Sequence, residues 1–324
     1  MGRRGWKIAA TAGAGIAAGA VALHRVDARW ATTPNPIRRH ELVPPDGEQL
    51  TVETDDGAQL AVTVAGNGPD VVLSHCWTGG REVWSPVAHR LVARGHRVVL
   101  YEQRGHGSST VGTDGFTIPR LGADLRTVLE KVGARDAVVA GHSMGGMAVQ
   151  ALVAHHRPVL PGRVIGLVLV ATAASGLSQG RRDRRLTRAV GSRAVNRALS
   201  GRFGHILVRG TVGRSVCRDH LVTTRDLFVD CAPETRAGCL GAIQTLDLRD
   251  GLAGLDLPVA VTVGTRDILT PTSLARELAD LLPQAELEVH EGLGHMLPIE
   301  APDEIADLIA ATGDEDTTAR PITS

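Results

Sequence analysis

The chain has 324 residues and a formal net charge of zero, and its hydrophobic and charged shares of 43% and 22% are those of an ordinary globular protein with a substantial core. Aromatic residues make up only 2% of the chain, so few side chains are present on which nucleic-acid bases could stack. With no net charge to attract nucleic acid either, a nucleic-acid-binding protein is not expected.

The N-terminus carries basic residues followed by an apolar run. Arg3, Arg4 and Lys7 precede the uncharged segment 8–23, which is rich in Ala and Gly. This order is typical of a secretory signal or of a membrane anchor whose N-terminus stays cytoplasmic, although sixteen residues is short for a membrane span. We therefore expect residues 1–23 to export or anchor the protein. The alternative is a cytoplasmic protein with an N-terminal extension.

The next segments predict a linker followed by a layered domain. Residues 24–47 are polar and rich in proline, which is typical of a linker. Residues 49–54 and 59–65 flank Asp55-Asp56-Gly57, a pattern that predicts a hairpin. Short apolar runs then predict buried strands at 70–74, 97–101, 137–140, 164–170, 259–263 and 285–290. Helix-length segments lie between most of them, at 82–94, 120–132, 144–155, 273–282 and 303–311. This alternation predicts an α/β fold with a mainly parallel central sheet and helices on both faces.

One interval breaks the alternation. Between residues 171 and 257 there is no clear strand, but helix-compatible sequence such as 184–199 is present together with many arginines. We predict an inserted, mostly helical cap at 176–245 within a core formed by 48–175 and 246–313, and a disordered tail at 314–324. The basic face of the cap is either an ordinary solvated surface or a contact for anionic lipid or an acidic substrate.

The four cysteines are Cys76, Cys217, Cys231 and Cys239. Their spacing matches no zinc site, and no histidine–carboxylate pattern suggests another metal. Cys231 and Cys239 are close enough in sequence to form a disulfide in an exported protein; otherwise they are small buried hydrophobic residues. The sequence also lacks a nucleotide-binding fingerprint, so no cofactor and no metal are predicted.

The clearest chemical motif is Gly141-His142-Ser143-Met144-Gly145. A buried strand precedes it and a helix pattern begins at Met144, so Ser143 occupies a strand-to-helix turn. So tight a reversal requires glycine on both sides of the serine, because side chains at Gly141 and Gly145 would collide with neighbouring backbone. The turn lifts the Ser143 hydroxyl out of the sheet at a helix N-terminus, where amide groups favour developing negative charge.

Together with four further stretches, this motif resembles the α/β-hydrolase fold superfamily, in the branch that contains haloperoxidase-like esterases and lipases. The stretches are LSHCWTGG at 73–80, YEQRGHGS at 101–108, GTRD at 264–267 and GLGH at 292–295. The resemblance extends from about Gln49 to Ala311 and is interrupted by the predicted cap.

The resemblance implies a Ser–Asp–His triad. The family places nucleophile, acid and base in that order on loops after strands, so Ser143 is the expected nucleophile, Asp267 the orienting acid and His295 the base. The alternative role for Asp267 is to cap the helix that follows it. Three other histidines are less suitable by position: His142 should point away from the nucleophile, His106 lies in a turn and His290 ends a strand.

The resemblance also implies an oxyanion hole, formed by the backbone N–H groups of Met144 and Trp77. The sequence departs from the family pattern at Cys76, where glycine is usual, and Trp77 could alternatively be a packing residue. The stretch at 101–108 is expected to be structural: it carries Glu102 where the family usually has aspartate, and Arg104 should hold a nearby carboxylate or carbonyl group.

The implied activity is hydrolysis of carboxylic esters, esterase- or lipase-like, through an acyl-enzyme on Ser143. The Leu-, Val- and Ala-rich composition favours a small-molecule ester with an apolar acyl or alkyl group. One alternative is a cofactor-free haloperoxidase- or perhydrolase-like enzyme with the same triad. Another is a catalytically inactive binding protein on a hydrolase scaffold.

Overall fold

The computed structural model describes residues 39–177, 181–202, 204–214 and 217–314, together with Ala28, Trp30, Thr32 and Ile37. The predicted N-terminal segment 1–23 lies outside the described residues, as do part of the predicted linker and the tail beyond Asp314. Among the helices in the described ranges, none is both long enough and apolar enough to cross a membrane.

Eight strands form one sheet. They are β1 (Glu48–Glu53), β2 (Gln59–Ala65), β3 (Asp70–Ser74), β4 (Arg97–Tyr101), β5 (Ala137–His142), β6 (Val164–Val170), β7 (Val259–Gly264) and β8 (Ala285–His290). Their spatial order is β1-β2-β4-β3-β5-β6-β7-β8. Strand β2 pairs antiparallel with β1 and β4, and every other neighbouring pair is parallel, which confirms the predicted mainly parallel sheet.

Two strands extend beyond their predicted ends. Strand β5 continues through Gly141 and His142, and β7 continues through Gly264. In β5 the register with β6 runs to the pair His142 and Val170. In both strands the backbone groups therefore remain paired with the neighbouring parallel strand up to the turn that follows.

The α-helices of the described residues, in chain order, are α1 (Arg81–Ala93), α2 (Ile118–Lys131), α3 (Met144–His156), α4 (Arg181–Val190), α5 (Arg193–Leu199), α6 (Arg218–Asp230), α7 (Pro233–Gln244), α8 (Arg249–Leu252), α9 (Thr272–Leu281), α10 (Leu297–Glu300) and α11 (Pro302–Gly313). Helices α1 and α11 cover one face of the sheet, and α2, α3 and α9 cover the other. In α2, Leu121, Leu125 and Val128 are spaced four and three residues apart, so they share one buried face of the helix.

The interval predicted to be a cap holds helices α4 to α7 and a 3₁₀ helix at Gly204–Thr211, with no strand in the residues described there. The stretch 184–199 is two helices rather than one. The break comes at Gly191 and Ser192, where the Ser192 hydroxyl accepts a hydrogen bond from the Val195 amide at 3.3 Å and caps α5. All four cysteines are buried free thiols, so Cys231 and Cys239 do not form a disulfide.

The end of the predicted linker lies against the core. Ile37 is 2% exposed and belongs to an apolar cluster that also contains Val83 and Ile299. A 3₁₀ helix follows at Arg39–Leu42, and Glu41 forms an ion pair with Arg90 of α1 at 3.3 Å. This part of the segment is therefore packed on the domain instead of forming a free tether.

Arg104 joins three segments behind the site described below. Its buried guanidinium donates to both oxygens of Asp124 in α2, to both oxygens of Asp56 in the β1–β2 turn, and to the carbonyl of Gly115, at 2.7 to 3.0 Å. These contacts confirm the prediction that Arg104 holds a nearby carboxylate or carbonyl group. The hydrogen bonds from Arg104 outweigh burial and hold the pKa of Asp56 well below its usual value.

We expect Arg104→Met to lower the free energy of unfolding at pH 7 by about 3 to 5 kcal/mol, because it leaves the buried Asp56 without its cation and leaves the buried Asp124 with Arg120 alone. The depressed pKa of Asp56 contributes stability above its unfolded value of about 3.8, and this contribution is lost as the pH falls through the folded value. The difference in free energy of unfolding between wild type and Arg104→Met should therefore shrink below about pH 4. Urea unfolding of both proteins at pH 7 and at pH 3.5 measures this difference. A loss under 1 kcal/mol at pH 7 would contradict the prediction.

Candidate active site

Four loops meet at the carboxyl edge of the parallel strands. They follow β3, β5, β7 and β8 and carry Trp77, Ser143, Asp267 and His295 respectively. The strand ends are in register, since Ser74 pairs with Gly141 and Gly264 pairs with His290. In open α/β sheets this edge is where ligands bind, because all the loops after parallel strands emerge on the same side.

Ser143 lies on a strained turn between β5 and α3. Its backbone has φ 55° and ψ −116°, a conformation unusual for a residue with a side chain. A Cβ atom on Gly141 would lie 2.4 Å from the Gly145 carbonyl oxygen, and one on Gly145 would lie 2.1 Å from the Ser74 carbonyl oxygen. Both positions therefore require glycine, for the steric reason that the sequence indicates.

Asp267 and His295 are brought together from different loops. Asp267 Oδ2 lies 2.7 Å from His295 Nδ1, and the carboxylate also accepts hydrogen bonds from the Leu269 and Thr270 amides and the Thr270 hydroxyl. Burial alone would raise the pKa of Asp267, but the charge of His295 and these hydrogen bonds outweigh it and lower the pKa. The ionised carboxylate accepts the proton on Nδ1, so in the neutral imidazole Nε2 is the acceptor nitrogen.

Ser143 and His295 line the same cavity. Among the described residues, no hydrogen bond joins the Ser143 and His295 side chains. The Nδ1 atom of His295 is within hydrogen-bond distance of Asp267 and Thr270. In enzymes of this kind such a serine–histidine bond is often long without substrate and shortens once substrate is bound, so its absence here does not argue against the pair.

Two backbone amides beside Ser143 have no acceptor in the part of the chain that the structure describes. They are the N–H groups of Met144, the first residue of α3, and of Trp77, in the loop after β3. The Trp77 side chain packs edge-to-face on Phe228, with ring centroids 5.7 Å apart, and its indole N–H donates to the Arg236 carbonyl at 3.1 Å. Trp77 thus combines packing against the cap with a free amide at the site.

The loop that holds Trp77 is supported by His75, a residue that the sequence analysis did not single out. His75 Nε2 accepts the Gln103 amide at 2.9 Å, so Nδ1 must carry the proton that it donates to the Cys76 carbonyl at 2.8 Å. Burial, followed by the nearby His106, lowers the pKa of His75 and keeps it neutral. Cys76, at the position where glycine is usual in the family, is accommodated as a buried thiol whose pKa burial raises to about 12, so it is not a competing nucleophile.

Two further side chains hold the loop of His295. His142 Nε2 donates to the His295 carbonyl at 2.8 Å, and burial lowers the pKa of His142 to about 3, so it stays neutral. Glu300, in α10, accepts the amides of Gly213, Gly294 and Met296 at 2.6 to 3.2 Å. Gly213 belongs to the cap interval, so Glu300 ties the cap to the loop of His295. The sequence alone does not indicate the role of Glu300, since a glutamate on a short helix is usually exposed to solvent.

The loops and the cap enclose one cavity of about 560 Å³. Most of its lining is apolar and comes from the cap and α3: Met147, Leu177, Leu186, Val190, Leu207, Val208, Leu227, Phe228, Leu240 and Ile243. Among the described lining residues, Asp183 is the one charged side chain besides the ionisable His295, and no lysine or arginine is present. A cavity of this size and lining accepts an uncharged, apolar group.

Comparison with known proteins identifies the family to which this chain belongs. A family model described as alpha/beta hydrolase fold matches residues 69–302. A non-heme chloroperoxidase from Streptomyces lividans is 31% identical over 76% of this chain and 92% of its own, and a pimeloyl-[acyl-carrier protein] methyl ester esterase from Chromobacterium violaceum is 33% identical over 70% and 87%. A solved esterase from Exiguobacterium antarcticum superposes with a TM-score of 0.74 at 20% identity, over 82% of this chain and 99% of its own. The chain belongs to the α/β-hydrolase fold family.

Proposed function

We propose that this protein is a serine hydrolase that cleaves carboxylic esters through an acyl-enzyme on Ser143. The observation that carries the proposal is the buried Asp267–His295 contact of 2.7 Å, beside a serine held on a strained turn in the same cavity. The pair of free amides at Trp77 and Met144 supports it further, because acyl transfer requires donors for a developing oxyanion.

In the proposed mechanism, Ser143 Oγ attacks the ester carbonyl while His295 Nε2 takes its proton. The oxyanion that forms accepts hydrogen bonds from the Trp77 and Met144 amides. His295 then gives the proton to the departing alkoxide, and the acyl group remains on Ser143. A water molecule, deprotonated by His295, attacks the acyl-enzyme and releases the acid with the serine restored.

The cavity supports an apolar acyl or alkyl group as the substrate's binding portion. Its apolar lining and the absence of arginine and lysine among the described lining residues disfavour a free carboxylate, and Asp183 would repel one. The esterase relative is a methyl ester esterase by name, which agrees with the cleavage of a carboxylic ester.

We expect Leu240→Trp to shift the substrate preference toward shorter acyl chains. Leu240 is a buried residue of α7 that lines the cavity, so a larger ring there would occupy space used by the chain end. On a panel of nitrophenyl esters from acetate to dodecanoate, kcat/KM for the longest ester that wild type accepts should fall about tenfold or more, while acetate should change little. Glu234→Trp, at an exposed position of the same helix, is the control. A uniform loss of kcat/KM over all esters of the panel would contradict the prediction that the acyl chain lies beside Leu240.

A haloperoxidase-like perhydrolase is the second candidate, and the chloroperoxidase relative is the observation that favours it. The same acyl-enzyme would form on Ser143, with hydrogen peroxide in place of water as the acceptor and a peracid as the product. Adding peroxide to the ester reaction and measuring peracid against free acid separates the two candidates. Free acid as the main product at millimolar peroxide would favour the hydrolase.

We expect Glu300→Gln to lower kcat by about 10- to 100-fold with little change in KM, because a glutamine NH₂ group faces amide donors and disturbs the loop of His295. Glu304→Gln, an exposed neighbour in α11, is the matched control. Kinetics with a short nitrophenyl ester measure the effect, and thermal melting verifies folding. If Glu300→Gln fails to fold, Glu300→Asp takes its place. An unchanged kcat in a folded variant would remove Glu300 from this role.

A further inference from the structure

The mouth of the cavity carries a rim of exposed apolar side chains. Leu186, Leu207, Ile268 and Leu269 all line the cavity and are 49%, 65%, 68% and 46% exposed. They come from three separate segments, namely α4, the 3₁₀ helix Gly204–Thr211 and the loop after β7. Most of the large apolar residues that are exposed in the described part of the chain are thus gathered at this one opening, which we call the apolar rim.

Exposed arginines lie on the helix that carries Leu186 and on the helix that follows it. On α4, Arg185 is next to Leu186 in sequence, whereas Arg184 and Arg188 are two residues from it and project from another side of the helix. Arg193 and Arg197 lie on α5, which contacts the 3₁₀ helix of Leu207. These five side chains have no carboxylate within ion-pair distance among the described residues. No carboxylate of the described residues therefore neutralises their charge.

The charge is concentrated in the cap. Residues 176–245 contain thirteen arginines and five acidic residues, whereas the chain as a whole has 35 basic and 35 acidic residues. The cap is therefore strongly positive in a chain of zero net charge, and a cationic surface around an apolar patch is complementary to a surface with anionic groups above an apolar layer.

We propose that the apolar rim and the arginines of α4 and α5 dock on an anionic lipid surface. The rim enters the boundary between headgroups and acyl chains, while the positive charge of the arginines on the two helices is attracted to the phosphates. The arginines alone would attract an acidic protein as well as anionic lipid. The four large exposed apolar side chains of the rim favour lipid, because only a lipid surface has an apolar layer beneath its anionic groups. If the protein hydrolyses esters as proposed above, an apolar ester could then pass from the lipid into the cavity without crossing water.

Hydrogen exchange of the full-length protein tests the docking at the level of individual segments. Vesicles of phosphatidylcholine alone and with 30% phosphatidylglycerol are compared at low salt. We expect the anionic vesicles alone to slow exchange at residues 183–190, 204–211 and 267–270. A membrane contact made by another part of the chain would not slow exchange in these segments, so the readout reports on the rim itself.

Arg185→Gln with Arg188→Gln removes two charges from α4, the helix of Leu186, and keeps helix propensity. The matched control, Lys131→Gln with Arg135→Gln, removes two exposed charges at the end of α2 and before β5, at the amino edge of the parallel strands. The first pair should raise the amount of anionic lipid needed for half-maximal protection by about 30-fold, and the control pair should change it less than threefold. Salt at 0.5 M should weaken wild-type protection as well.

Unchanged exchange in the three segments with anionic vesicles would overturn the proposal, and so would equal effects of the two variant pairs. Slowing by soluble polyglutamate without slowing by vesicles would also overturn it, in favour of an acidic protein partner. Hydrolysis of a water-soluble acetate ester is measured in parallel. Its absence would refute the proposed ester hydrolysis and leave the exchange result on docking intact.

Discussion

Ser143→Ala is expected to abolish labelling by a fluorophosphonate probe and to lower ester hydrolysis by about 10⁴-fold or more. The reason is that no acyl-enzyme can form without Oγ, while the cavity and the amides of Trp77 and Met144 still bind substrate. The backbone turn should persist, because it depends on Gly141 and Gly145 and not on the hydroxyl. Mass spectrometry of the labelled peptide, with turnover of a short nitrophenyl ester, measures the effect.

Ser108→Ala is the matched control, since Ser108 is an exposed serine in the turn after β4. It should keep both labelling and activity. Labelling of a serine other than Ser143, or full activity of Ser143→Ala, would refute the nucleophile. A wild-type protein that folds but neither reacts with the probe nor cleaves any ester would instead support an inactive binding protein on this scaffold.

His295→Ala is expected to lower kcat by about 10³-fold or more, because Ser143 then has no base to take its proton. Fluorophosphonate labelling should slow as well, which separates loss of nucleophile activation from loss of substrate binding. The double variant with Ser143→Ala should be no worse than Ser143→Ala alone, since groups that act as one unit lose their function together. Steady-state kinetics and labelling rates provide both measurements.

His290→Ala is the control for the base. His290 ends β8 only five residues before His295, yet it does not line the cavity among the described residues. It should keep activity within about threefold. A harmless His295→Ala together with a damaging His290→Ala or His106→Ala would show that the base has been assigned to the wrong histidine.

The sequence by itself determined the features that depend on local physics. Apolar runs of strand length between helix-length segments were sufficient to predict a mainly parallel sheet, because the burial of such strands requires helices on both faces. The requirement for Gly141 also follows from local sterics, since a Cβ atom there would meet the Gly145 carbonyl within the same turn, whereas at Gly145 it would meet Ser74 of the neighbouring strand. The buried strand before the motif and the helix pattern from Met144 were likewise sufficient to predict that Ser143 lies on the turn between them.

Only the tertiary structure decided the contacts between distant residues. Asp267 and His295 are 28 positions apart, and His142 and His295 are 153 apart, so their hydrogen bonds depend on how the sheet aligns its strand ends. The three amides bound by Glu300, the free amide of Trp77 beside Cys76, and the apolar rim also arise where segments meet. Sequence patterns report which face of an element is buried, but burial and hydrogen-bond partners at a loop are set by whatever packs against it.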